Sequence, residues 1–340
     1  MKKLLCLILI LSFLLSLYAC KGEVTDTEVT EEESYVPVDI SDVVSPFSIN
    51  GEKVPYALFR YYYGLVKYRY DQDDESYWDS HDYAEEIRNE VLRYIRRAYA
   101  MEECAKQYNV SLSVADKKQV EQSILSQRLS AYADDNDYFR SLDEMYLTEE
   151  INRQVEEQAV LNDKLLEYLT STDSGPKISS SPELVKRYID NYVIRTDHIL
   201  ILNDPGDDRN ENETLIKEID EKLKNGADFE ELRKKYSEDE QTNQTDTGYY
   251  IAEGDISQIL SDAAFALGEG QISGVIEAPY GYHIVKRYAK DEDYIKNNLN
   301  GVFLSFYQEH IFEQMLKKLM DKQTVEFDQS FYTYTPLNIK

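Results

Sequence analysis

The chain has 340 residues and a strongly acidic balance of charges, with 37 Lys and Arg against 65 Asp and Glu and a formal net charge of −28 at pH 7. A field of this sign repels phosphate backbones and anionic lipid surfaces, so the composition argues against nucleic acid as a partner. A chain of this length is sufficient to bury the cores of two domains.

The first twenty residues have the pattern of a secretory signal. Two lysines in residues 1–3 precede an apolar run over 4–17 that is too short to cross a bilayer. The run ends in L-Y-A-C, which resembles a bacterial lipobox with Cys20 as the lipidated residue. We therefore expect residues 1–19 to be a lipoprotein signal peptide and the mature protein to be lipid-anchored to the outer face of the bacterial cell membrane. The alternative is an ordinary signal peptide or an uncleaved anchor with an incidental cysteine.

The next part of the chain is predicted to be a tether followed by helices. Residues 20–46 are acidic and show no helical or strand period, which is typical of a disordered segment. Residues 47–193 start with a predicted hairpin about Asn50-Gly51 and continue as a mostly helical module. Apolar residues at spacings of three and four predict its helices around 58–68, 87–101, 113–129, 137–146, 149–169 and 182–192.

Residues 194–290 have the pattern of a small α+β domain. The alternating run that starts at His198 predicts a strand, and two later runs predict a closing hairpin around P-Y-G. Helices are predicted over 215–223, from Asp228 onward, and over 257–267. The expected result is a four-stranded antiparallel sheet with helices on its faces.

The last fifty residues, 291–340, are expected to return to the helical module. Apolar positions from Tyr294 to Leu319 predict one long amphipathic helix, and the alternation over 324–335 predicts a strand. Because this helix has no neighbour of its own, we expect it to pack on the N-terminal helices. The predicted fold is α+β, with residues 194–290 inserted in a split, mostly helical, chaperone-like domain.

Five motifs in this central part carry a resemblance to a known family. They are T-D-H-I-L-I-L, D-F-E-E-L-R-K-K-Y-S-E-D, T-D-T-G-Y-Y, D-A-A-F-A-L-G-E-G-Q-I-S-G-V-I and G-Y-H-I-V-K-R, in that order between residues 196 and 287. This order resembles the parvulin family of peptidyl-prolyl cis/trans isomerases. The plan of the whole chain from Cys20 onward is similar to that of the PrsA-like foldase lipoproteins, although outside 196–287 the similarity is only architectural.

The resemblance implies a set of site residues. A pair of histidines, coupled through hydrogen bonds on adjacent central strands, falls on His198 and His283, and a polar residue beside the substrate carbonyl falls on Asp239. The implied proline pocket consists of Thr247, Ile256, Leu260, Phe265 and Tyr280. The resemblance implies no metal and no cofactor.

Three positions depart from the family pattern. Leu260 offers less flat surface than the usual phenylalanine, and Thr247 puts a hydroxyl in the pocket. Ala278 replaces a residue whose hydroxyl would join the histidine network. The pattern therefore leaves open whether isomerase activity is retained, weak or lost.

Two functions remain as hypotheses. The first is an extracytoplasmic, membrane-anchored foldase: a peptidyl-prolyl isomerase and chaperone that acts on unfolded or partly folded secreted polypeptides with Xaa-Pro bonds. The second is a non-catalytic chaperone or binding lipoprotein whose parvulin domain only presents a surface. A solute-binding lipoprotein is disfavoured because the helical runs do not supply two lobes of βαβ units. The sequence leaves the oligomeric state open, with a homodimer among the options.

Overall fold

The computed structural model of the chain describes residues 35–71, 75–79, 81–171, 177–203, 209–239, 248–253, 255–278 and 280–339. The predicted signal segment, the lipidation site Cys20 and the pocket residue Thr247 lie outside these ranges. The backbone contacts divide the chain into two compact units.

The elements, in chain order, are β1 (Phe47–Ile49), β2 (Glu52–Lys53), α1 (Tyr56–Asp71), α2 (Ala84–Tyr108), α3 (Val114–Ala131), α4 (Asp135–Glu144), α5 (Glu149–Thr170), α6 (Pro182–Tyr192), β3 (Val193–Leu202), α7 (Arg209–Lys224), α8 (Phe229–Tyr236), β4 (Tyr249–Ala252), α9 (Gln258–Ala266), β5 (Ile276–Ala278), β6 (Gly281–Tyr288), α10 (Glu292–Asn298), α11 (Val302–Met320) and β7 (Val325–Phe327). Short 3-10 helices cover Glu75–Asp79 and Gln329–Thr333.

The first unit comprises Met1–Val66, Tyr83–Ile178 and Phe312–Lys340. Its small sheet has the order β2-β1-β7, so β1 pairs with β2 through the predicted hairpin and with the C-terminal strand β7 on its other side. Phe47 at the start of β1 packs edge-on against Phe331, with ring centroids 5.7 Å apart. The end of the chain thus completes the sheet that the N-terminal hairpin begins. The domain bounds proposed from the sequence, 47–193, 194–290 and 291–340, remain predictions.

Several predicted helix starts are confirmed by their capping residues. Ser113 precedes α3 and forms a capping box with Asp116, in which each side chain binds the backbone N–H of the other. Ser181 caps α6, and Asp228 caps α8 by accepting a hydrogen bond from the Glu231 N–H.

The C-terminal segment differs from its prediction in two ways. The expected single helix is two helices, α10 and α11, because the chain turns at Asn298, where the Gly301 N–H donates to the Asn298 carbonyl. Asn and Gly are poor helix formers, which explains why the apolar period alone misses the break. The expected strand over 324–335 ends at Phe327, since Asp328 caps a 3-10 turn by accepting from the Ser330 N–H.

The last part of the predicted tether makes fixed contacts with the first unit. The Tyr35 hydroxyl donates to an Asp143 carboxylate oxygen at 2.7 Å, and the Tyr35 N–H donates to the Asn136 side chain at 3.1 Å. The Val38 N–H donates to the same Asp143 oxygen at 2.8 Å. Residues 35–38 are therefore held on α4, which the acidic composition without a period did not indicate.

The second unit comprises Lys67–Asp82 and Ser179–Ile311. Its sheet has the order β4-β3-β6-β5 with every pair antiparallel, which confirms the predicted four-stranded antiparallel sheet. Because successive side chains of a strand point to opposite faces, β3 contributes to two cores. Ile199 and Ile201 pack under α7 and α8, whereas Ile194 packs on the opposite face with Leu260 of α9.

Candidate functional site

The two predicted histidines lie on the two central strands of the second unit's sheet. In the register of β3 and β6, His198 is paired with Val285 and Leu200 with His283, so the histidines are diagonal neighbours on one face. Their ring centroids are 5.3 Å apart at an interplanar angle of 68°. The resemblance implied a hydrogen-bonded pair, but the structure shows an edge-on ring contact instead. Neither ring nitrogen of His283 has a hydrogen-bond partner among the described residues.

Asp239 is brought to His198 by the segment that follows α8. The Ser237 hydroxyl accepts from the Leu200 N–H at 3.1 Å, and the Glu238 N–H donates to the Leu200 carbonyl at 2.9 Å. This segment thus runs beside the part of β3 that β4 does not cover. Asp239 then lies with Oδ2 3.1 Å from Nε2 of His198, a distance suited to an ion pair although not aligned as a hydrogen bond.

The described residues of the predicted proline pocket belong to one apolar cluster on the same face. It contains buried Leu260 and Ala278, and its partly buried members include Ile256, Phe265 and Tyr280. The ring of Tyr280 meets that of His283 edge-on, with centroids 5.3 Å apart. An apolar surface therefore adjoins the polar group made by the two histidines and Asp239. Their individual roles in catalysis and binding stay predictions.

Comparison with known proteins shows that this part of the chain matches a known family. The profile of the Rotamase family, described as the PPIC-type PPIASE domain, matches residues 198–289. The Foldase protein PrsA of Bacillus subtilis (strain 168) is 29% identical over 167 residues, which cover 47% of this chain and 54% of that protein. The chain is PrsA-like and carries a parvulin-type domain. The Foldase protein PrsA of Geobacillus sp. (strain WCH70) is 33% identical over 158 residues, covering 45% of this chain and 54% of that protein.

The alignments of this PrsA-like chain span about half the length of these curated relatives. Among solved structures, the peptidylprolyl isomerase PrsA from Bacillus anthracis is 26% identical, with coverage of 67% of this chain and 96% of that chain and a TM-score of 0.30. The foldase PrsA from Streptococcus pneumoniae is 24% identical, with coverage of 73% and 90% and a TM-score of 0.35.

Burial controls the charge of His283 in the parvulin-type domain. The residue is 1% exposed, and loss of hydration together with the neighbouring His198 lowers its pKa from 6.5 to about 3. The carboxylate of Asp239 acts in the opposite direction but does not compensate. His283 is therefore neutral near pH 7, and the floor of the site contains an uncharged imidazole.

The predicted set of site residues omits Tyr249, the first residue of β4. Its hydroxyl lies 2.9 Å from Nδ1 of His198, so this tyrosine is part of the polar group. The sequence does indicate this position, since the alternation of Y-Y-I-A puts Tyr249 on the same face as buried Ile251.

The other face of the sheet has a charged group directly beneath the site. Asp197 and Arg233 are both fully buried, with Oδ2 and Nε 3.5 Å apart, and Oδ1 of Asp197 accepts from the His198 N–H at 2.9 Å. Burial raises the pKa of Asp197 to about 6. This pair holds the backbone at the residue that contacts Asp239.

Neither a metal centre nor a membrane-spanning helix is found in the part of the chain that the structure describes. No group of three or more His, Cys, Asp or Glu side chains there is arranged to hold a metal ion. None of the described helices is long and apolar enough to cross a bilayer.

Proposed function

We propose that the chain is a parvulin-type peptidyl-prolyl cis/trans isomerase that acts as a foldase. The observation that carries this proposal is the position of His198, His283 and Asp239 beside the apolar cluster of Leu260, on the one sheet that matches the PPIC-type family. Such a site has the two parts that the reaction needs, an apolar surface for the proline ring and a few fixed polar groups.

The chemistry follows from the nature of the Xaa-Pro bond. Rotation has a barrier of about 20 kcal/mol because it disrupts amide resonance. Seating the ring on the cluster around Leu260 and Phe265 removes water from the amide, which favours the twisted and less polar state. Asp239 is 20% exposed at the edge of the site, where it can face the substrate carbonyl. Every ~1.36 kcal/mol by which the barrier falls increases the rate tenfold.

Replacement of Asp239 with asparagine tests the catalytic part of the proposal. We expect kcat/KM for a short Xaa-Pro peptide to fall by roughly 10- to 150-fold, since the change removes a charged group whose contacts are worth roughly 1.5–3 kcal/mol. The matched control is Asp262→Asn, an exposed carboxylate on α9 of the same domain. Turnover is measured with the full chain by a protease-free cis/trans assay. Equal rates for Asp239→Asn and wild type would contradict the catalytic role.

The same variant separates the two candidate functions. The buried methyl group of Ala278, where the family has a hydroxyl, favours the second candidate, a parvulin-type domain that binds clients without catalysis. If catalysis matters, Asp239→Asn slows refolding of a secreted protein whose folding is limited by proline isomerisation. If the domain only binds, the variant suppresses aggregation and supports refolding as well as the wild type does.

The proposal includes a location outside the cytoplasm, on a membrane anchor at Cys20. Its support is the charged start, the apolar run and the L-Y-A-C sequence of residues 1–20. We expect Cys20→Ala to abolish labelling by a radioactive fatty acid and to move the protein from the membrane fraction. Cys6→Ala is the matched control, because Cys6 lies inside the predicted signal peptide. A Cys20→Ala protein that still carries label would refute the lipid anchor.

A further inference from the structure

Tyr249, which is not among the predicted site residues, forms a hydrogen bond with His198. The tyrosine hydroxyl lies 2.9 Å from Nδ1, and the two rings meet nearly perpendicularly, at 89°. The Tyr249 ring is partly buried against the cluster that contains Leu260 and Val285. A hydroxyl on a ring held by this packing has little freedom to leave the histidine.

The backbone of β4 fixes where this hydroxyl is. Tyr249 is paired with Thr196, which lies two residues before His198 in β3. The side chains of Tyr249 and His198 are therefore on the same face of the sheet. The preceding residue, Gly248, has a φ of +70°, and a Cβ there would be 2.8 Å from the Thr196 carbonyl oxygen. Only glycine allows this approach without strain, and it puts Tyr249 directly at the start of the strand.

The partners of the His198 ring determine which nitrogen carries the proton. A neutral imidazole has one donor and one acceptor nitrogen, and an ionised carboxylate only accepts. Oδ2 of Asp239 is 3.1 Å from Nε2, and although this contact is not aligned as a hydrogen bond, the negative charge of the carboxylate favours the proton on Nε2 over Nδ1. Nδ1 is then the acceptor, and the Tyr249 hydroxyl is the donor that faces it.

This arrangement addresses the departure at Ala278. The resemblance places a hydroxyl at that position of β5 for the histidine network, but Ala278 has only a methyl group, which is buried in the apolar cluster. Tyr249 supplies a hydroxyl to a site histidine from β4, the opposite edge strand, on the same face of the sheet. The network thus has a donor although the usual position lacks one.

We propose that Tyr249 is a positioning residue, whose hydroxyl holds the His198 ring in the Nε2-protonated tautomer and in the orientation that faces Asp239. It acts through His198 and does not itself need to touch the proline. The kinetic consequence rests on the isomerase function proposed above. The tautomer does not, since it is a property of the chain without substrate.

The experiment compares Tyr249→Phe with wild type in the full chain. We expect kcat/KM for an Xaa-Pro peptide to fall by about five- to tenfold, the loss that one hydrogen bond gives, while the retained ring keeps the packing. Histidine ring ¹⁵N NMR, with the four histidines assigned by single replacements, should change from one Nε2-protonated form to a mixture of tautomers at His198. The matched control is Tyr250→Phe, which removes a hydroxyl that binds the Asp291 N–H at 2.8 Å, away from His198.

Each result decides a different statement. Unchanged His198 ring signals in Tyr249→Phe overturn the positioning role, whatever the turnover. Equal changes in Tyr249→Phe and Tyr250→Phe also overturn it, because the effect would not depend on the hydroxyl at the site. A wild-type chain without isomerase activity refutes the proposed function instead, and the tautomer comparison alone then decides the role of Tyr249.

Discussion

Replacing Arg233 with methionine is expected to lower the free energy of unfolding of the second unit by about 3–5 kcal/mol. The guanidinium is fully buried and forms an ion pair with the buried carboxylate of Asp197, with Nε and Oδ2 3.5 Å apart. Without it, Asp197 keeps a negative charge in an environment that cannot hydrate it. The loss is measured by urea unfolding at pH 8, followed through the fluorescence of Trp78, the single tryptophan of the chain, which lies in this unit.

The control for this prediction is Lys234→Met, which removes a positive charge from an exposed neighbour on α8. We expect it to change the free energy of unfolding by less than about 0.5 kcal/mol. Adding Asp197→Asn to Arg233→Met should recover more than half of the loss, because asparagine keeps an acceptor for the His198 N–H without the charge. A double variant no more stable than Arg233→Met would disprove this explanation.

The charged group around Arg233 is larger than a single pair. Glu230 is 3.1 Å from Nε of Arg233 and 3.3 Å from Nζ of Lys286, and it also accepts from the Tyr288 hydroxyl. Glu230 is partly exposed, so these contacts tolerate the loss of one partner better than Asp197 does. We therefore assign most of the expected destabilisation to Asp197. The penalty should shrink at pH 5, where this carboxyl, with a pKa of about 6, takes up a proton.

The second large effect is expected at acidic pH, where His283 lowers the free energy of unfolding. Its pKa is about 3 in the folded chain and about 6.5 when hydrated in the unfolded chain. Above pH 6.5 both states are neutral at this residue, so it contributes no pH dependence. Between pH 6.5 and 3 only the unfolded chain binds the proton, so the free energy of unfolding falls by roughly 1.4 kcal/mol per pH unit as the pH decreases.

The measurement compares the pH dependence of urea unfolding in wild type and His283→Gln between pH 6.5 and 4. The carboxyl groups are common to both proteins, so the difference in slope isolates one proton. His81→Gln, which makes the same replacement at a histidine outside the sheet, is the matched control for the substitution. Identical slopes for wild type and His283→Gln would contradict the lowered pKa, because they would mean that His283 takes up its proton equally readily in the folded and unfolded chains.

The local features of the chain were predictable because they depend on neighbouring residues. The alternation that starts at His198 and the caps at Ser113 and Asp228 identified elements that the structure confirms. The resemblance assigned His198 and Asp239 to one site, and the structure brings them to 3.1 Å of each other, a direct contact that was not predicted. The helix break at Gly301 was missed because apolar spacing continues across it.

The amino-acid pattern alone was enough to predict most helices and strands and the antiparallel sheet of the parvulin-type domain, and the resemblance named the three polar residues that the fold brings together there. These follow from short-range periodicity and from motifs whose residues can be compared one by one. Two contacts became visible only in the folded chain: the hydrogen bond between the Tyr249 hydroxyl and Nδ1 of His198, and the burial of Arg233 against Asp197 beneath it. The physical reason is that both contacts depend on strand register and helix packing between segments 36 to 51 residues apart, which no local pattern specifies.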